Sequence, residues 1–144
     1  MENRIGSILT YIAGLGVLVF GFVYLLKPSY MPYHAEAVGT SWSEVPPAFQ
    51  RLFLTYMKAA SGGWIALGLV FIYLQFRFNT SKAIWIPYVI LIGGLLFAAI
   101  SLYSAIGLKV TTPANPPLVP MFLIIGIMLT GFYFNWSFGR KVQT

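Results

Sequence analysis

The chain has no cysteine, three acidic residues against nine basic ones, and only 8% charged residues among 144. Without cysteine there are no disulfides, thiolate nucleophiles, thiol redox centres, cysteine metal ligands or cysteine-linked lipids. A soluble domain carries about 25% charged residues, so this chain has too little charge to coat a water-facing surface, and a soluble enzyme is excluded. The single histidine, His34, cannot form a bis-histidine haem site. No glycine-rich phosphate loop, Ser-His-Asp set or retaining carboxylate pair can be assembled from these residues. No cofactor, resident metal or nucleic acid partner is expected, and an enzyme is the less favoured class.

What is present is hydrophobic length: 58% of the residues are apolar and 17% aromatic. A membrane-spanning helix needs roughly 20 mainly apolar residues to cross a hydrocarbon core about 30 Å thick. Four segments qualify: residues 5–26, 57–76, 83–108 and 118–138. The first has no charge and stops at Lys27-Pro28; its length exceeds the 7–15 residue core of a cleaved signal peptide, so it is read as a retained span. The third follows Asn79-Thr80-Ser81, read as a source of capping oxygens, and Pro87 lies in its first turns, where a missing N–H is tolerated. Segments such as residues 84–100 are apolar on every side, unlike the alternating strands of a barrel. The expected fold is all-α: one transmembrane domain over residues 1–144, a four-helix bundle with both termini on the same side. Arg4, Arg77, Lys82, Arg140 and Lys141 mark the terminal side, against Lys27, Arg51, Lys58 and Lys109 on the other. By the positive-inside rule the termini face the cytoplasm of an inner or plasma membrane.

The polar chemistry collects opposite the termini. The connection after the first span holds His34, Glu36 and Glu44, the last two being the only carboxylate side chains besides Glu2, together with Tyr30, Tyr33 and Trp42. The proline-rich third connection, residues 109–117, is placed to pack beside it as a lid. The second helix is expected to start near Pro46 or Pro47, outside the bilayer, with Ser41 and Glu44 at capping-box spacing and Ser43 as a further cap. Along its first turns Phe49, Leu52, Phe53 and Tyr56 form one stripe and Arg51, Thr55 and Lys58 another. Lys58 lies 19 residues before Arg77, about 28 Å at 1.5 Å per residue, which puts it at the edge of the hydrocarbon. There it either snorkels to the interface, pairs with Glu36 and Glu44, or joins Arg51 in holding an anionic headgroup. Trp64 lies deeper than an aromatic belt, so its indole N–H needs an internal partner, and beside Gly62 and Gly63 it is placed to floor a cavity. The candidate binding set is therefore Arg51, Lys58, Tyr56, Trp64, His34, Glu36 and Glu44. A metal site from His34, Glu36 and Glu44 would have the bare minimum of ligands, and ordinary interfacial hydrogen bonding is preferred.

Small residues recur on every span: Gly14 and Gly21; Ala59 with Gly63 and Gly62 with Ala66; Gly94, Ala98, Ser101 and Ala105; Gly126 and Thr130. Close backbone contact at such positions drives helix association in lipid, and the same seams serve contacts within one chain, in a homo-oligomer or in a larger complex. No span contains Asp or Glu, which argues against a proton- or sodium-coupled carrier.

The first span ending Gly21-Phe22-Val23-Tyr24-Leu25-Leu26-Lys27-Pro28, the basic residue before a glycine pair in Lys58-Ala59-Ala60-Ser61-Gly62-Gly63-Trp64-Ile65-Ala66-Leu67-Gly68, and Gly93-Gly94 in the third span give a layout that resembles the DoxX-like small four-helix membrane proteins. The resemblance implies a four-helix fold and no particular reaction. The leading functional expectation is binding or movement of an amphipathic, anionic lipid-like molecule at the outer leaflet, with membrane lipids as partners. An accessory subunit of a larger membrane complex and a lipid-modifying membrane enzyme using His34 or Glu36 are the alternatives.

Overall fold

A computed structural model describes residues 2–143, with side chains from 4 to 142, so the Glu2 side chain lies outside them. The described residues are helical, with no strand: α1 (Glu2–Leu26), α2 (Pro32–Val38), a 3-10 turn (Trp42–Glu44), α3 (Pro47–Ser81), α4 (Trp85–Thr111) and α5 (Leu118–Gln143). All but α2 and the 3-10 turn are long and apolar enough to cross a membrane. The long apolar runs thus become helices, with ends displaced by a few residues from the hydropathy limits because helix hydrogen bonding continues past the last apolar side chain.

The largest displacements are at the ends of α3 and α5, and the one in α3 changes how the short connection is built. The Asn79-Thr80-Ser81 run does not serve mainly as a cap for α4: α3 continues through it, and the Thr80 and Ser81 hydroxyls donate back to the Arg77 carbonyl at 2.9 and 2.8 Å. Only Ser81 Oγ also accepts from the Ala83 N–H, at 3.3 Å. Helix α3 ends instead at Lys82, whose left-handed backbone (φ 56) closes the turn with an N–H bond to Phe78 O at 2.9 Å. Its ammonium group donates to Asn79 O at 2.5 Å and lies over the Phe138 ring.

Helix α1 packs most extensively on α3 and next on α5, while α3 and α4 have the slightest contact of the adjacent pairs. The α1–α3 seam is set by glycine. A Cβ on Gly68 would lie 2.8 Å from Gly14 O and 2.9 Å from Leu18 N, and one on Gly21 would lie 2.7 Å from Ile65 Cγ1. Backbone approach this close leaves no room for a methyl group. Gly14 and Gly21 therefore serve as the expected seam, but their partner face on α3 is centred on Gly68, with Ile65 and Phe71 beside it. At 100° per residue that face lies well round the helix from Gly62, Gly63 and Ala66. Gly62, Gly63 and Gly126 meet open space. The buried apolar core, Ala13, Phe71, Phe78, Ile86, Ile90 and Met128, occupies the half of the bundle nearer the short α3–α4 connection.

Candidate functional site

At the opposite end, where the two long connections lie, the bundle opens. A cleft of about 510 Å³ separates Ala59, Ala60, Gly63 and Trp64 of α3 from α4, where Ile100, Ser101, Ser104, Ala105 and Leu108 form its other wall. Phe20 and Tyr24 of α1 and Met121 of α5 close its back, and Tyr33, His34, Pro116 and Pro117 border it at the loop end. Below it, sharing Trp64, Phe97, Ser101 and Met121, a smaller and wholly apolar space of about 50 Å³ reaches Gly94 and Met128. The cleft exists because α3 presents Ala59, Ala60 and Gly63 here, while its close-packed face at Gly68 is turned toward α1.

Aromatic packing fixes the walls. Trp64 stacks on Tyr24 with centroids 5.7 Å apart and planes 14° apart, lies 5.5 Å from Phe20, and meets Phe97 edge-on at 5.2 Å. Its indole N–H has no hydrogen-bond partner among the described residues, so the expected internal partner is not found there. The Tyr24 and Tyr33 hydroxyls are hydrogen-bonded to each other. His34 packs against Tyr33, Tyr24 and Phe53, and its Nδ1 accepts from the Met31 N–H at 3.3 Å. Burial lowers the His34 pKa and raises that of Tyr33, the latter helped by the bond to Tyr24, so both are neutral near pH 7.

The seven-residue helix α2 brings this about. In a helix His34 and Glu36 point about 200° apart, so they do not act as a pair. His34 faces the bundle, whereas Glu36 accepts from the Asn115 N–H at 2.8 Å and ties the first connection to the third. The third connection thus lies beside the first, as a lid would. Glu44 accepts from the Ser41 N–H at 2.8 Å, a contact that lowers its pKa, while Ser43 bonds to Ser41 and not to the start of α3. Tyr30 donates to Thr40 O and packs on Trp42 and Phe53.

Of the seven candidate residues, the cleft gathers Trp64 and His34. Arg51, Lys58, Tyr56, Glu36 and Glu44 are not part of its lining. Arg51 and Lys58 are exposed on α3, and among the described residues neither forms an ion pair with Glu36 or Glu44. Tyr24, Tyr33, Phe97, Ser101 and Ser104 line it without having been singled out as ligand contacts. Ser101 was legible only as a packing residue of the α4 small-residue series, and Ser104 lies outside that series.

A second polar feature lies at the short-connection end. Gln75 Nε2 donates to Ser7 Oγ at 3.1 Å and to Asn79 Oδ1 at 3.0 Å, and Ser7 Oγ donates to Asn79 Oδ1 at 2.7 Å. Asn135 Nδ2 donates to Gln75 Oε1 at 2.8 Å and to Thr10 Oγ1 at 3.1 Å, while Thr10 donates to Gly6 O at 2.9 Å. Gln75 and Asn135 are fully buried. The network pins α1, α3 and α5 together, and Asn135 Oδ1 has no hydrogen-bond partner among the described residues, lying 2.4 Å from where a Cβ on Gly6 would stand. Comparison with protein-family models, curated proteins and solved structures finds no match to this chain.

Proposed function

We propose that this chain is a multi-pass membrane protein that binds an amphipathic, lipid-like molecule in the cleft between α3 and α4. The observation that carries the reading is the pairing of that cleft with its apolar extension. The end of a tail in the lower part meets Leu67, Phe71, Phe97 and Met128, the rest of it lies along the α3–α4 cleft, and a head at the loop end meets the Tyr24, Tyr33 and His34 group. Apolar walls with a few polar groups at one end are the usual construction of a small-molecule site. In a bilayer the gap between α3 and α4 opens sideways to the acyl chains, so a lipid enters without crossing water. Helix α3 has 35 residues, about 52 Å at 1.5 Å per residue, so it stands well beyond a 30 Å core and carries Arg51 outside it. With the termini in the cytoplasm of an inner or plasma membrane, the cleft opens to the outer leaflet.

The test is photo-crosslinking in vesicles with a single-chain lipid carrying a diazirine in its tail. Cross-links concentrated on residues 59–64 and 97–108 are expected. Gly63→Leu, at a position with open space around it, fills the cleft and removes them while the thermal unfolding midpoint is unchanged. Cross-links spread evenly over all lipid-facing helix surfaces, and indifferent to Gly63→Leu, would refute the reading.

A further inference from the structure

Resting on that lipid-binding reading, we infer that the cleft selects an uncharged head group that accepts hydrogen bonds, such as the ester and hydroxyl oxygens of a monoacylglycerol, over an anionic one. The lining contains no lysine, arginine, aspartate or glutamate. Its polar groups are neutral, and those left without a partner within the protein are mainly donors. His34 Nδ1 is occupied as an acceptor by the Met31 N–H, so the neutral ring carries its proton on Nε2, which has no partner among the described residues. In the Tyr24–Tyr33 pair one hydroxyl donates to the other, which leaves the second O–H proton uncommitted. Farther in, Trp64 offers an indole N–H and Ser101 a hydroxyl, neither bonded within the described residues, whereas Ser104 is already bonded to Ile100 O at 3.1 Å.

Such a donor set satisfies oxygen acceptors. It does not offset the desolvation of a phosphate or carboxylate, which in an apolar site needs a cation beside it. The two cations on this part of α3, Arg51 and Lys58, are exposed and outside the lining. A charge in the head group would therefore be stranded, while an ester carbonyl would find two to three donors. The burial that keeps His34 neutral sustains the same selectivity at physiological pH.

Titration of the purified full chain with 1-monooleoylglycerol and with 1-oleoyl-lysophosphatidate, read by native mass spectrometry, tests this directly because the two probes share one tail. Monooleoylglycerol is expected to bind at least tenfold more tightly. His34→Phe, which keeps an aromatic ring but removes the donor, is expected to weaken it about tenfold, the scale of one lost hydrogen bond. Tyr33→Phe is the second variant, since it leaves the ring packing in place should His34→Phe not fold, and a severalfold loss is expected. Lys58→Met is expected to have no effect. Tighter binding of lysophosphatidate, lost in Lys58→Met or Arg51→Ala, would overturn the neutral-head inference and leave the lipid site standing. Binding of either probe that is unaffected by Gly63→Leu, or binding of neither, would bring down the site itself.

Discussion

Among single residues, Asn135 has the most consequential surroundings. Its amide bridges Gln75 of α3 and Thr10 of α1 from α5, and at 1% exposure no water substitutes when it is removed. Leaving buried polar partners unmade costs about 1–3 kcal/mol. Asn135→Leu is therefore expected to lower stability by about that amount in reversible unfolding in detergent, and a variant as stable as the parent would show that the network adds nothing net. None of this was visible in the sequence. The partners lie 60 and 125 positions away, and an amide in an apolar run carries no sign of its partner. Asn79 was misread for a related reason. Next to Thr80 and Ser81 it has the composition of a cap, yet its side chain is turned into the bundle, toward Ser7, Gln75 and Tyr11.

Among the elements, the four long helices were legible because a span announces itself through uninterrupted apolar length. Helix α2 was not: seven residues beginning at a proline give no usable period, and the opposite directions of His34 and Glu36 follow only from its helical geometry. Which face of α3 is buried was also hidden, since Gly62, Gly63 and Gly68 look alike in the sequence. Structure separates them, and substitution should too. Gly68→Ala forces a Cβ to within 2.8 Å of Gly14 O, and relief requires the two backbones to part. A loss of about 1–3 kcal/mol is expected, as for other overpacked positions. Gly62→Ala meets nothing within 4 Å and is expected to be neutral or to gain up to about 1 kcal/mol from helix propensity. Thermal unfolding of the two variants side by side checks the ordering, and equal loss in both would contradict the assigned α1–α3 seam.

For the whole molecule, the proposed orientation can be mapped cleanly because the chain has no cysteine, so one introduced thiol is the sole label site. Ser43 and Ser81 are both exposed and flank α3 at its two ends. Ser43→Cys is expected to react with a membrane-impermeant maleimide in intact cells, and Ser81→Cys only after permeabilisation. The reverse pattern would invert the topology, and reaction of both in intact cells would contradict membrane insertion. The cleft, unlike the spans, follows from how α3 and α4 diverge, and divergence is a property of packing between elements that no single stretch of sequence encodes. The polar network and the cleft occupy opposite ends of the bundle, and α4, which walls the cleft, contributes nothing to the network among the described residues. The interlocked amides make α1, α3 and α5 a single anvil, and α4 faces it across the gap. A guest between α3 and α4 therefore displaces none of the bonds that tie α1, α3 and α5.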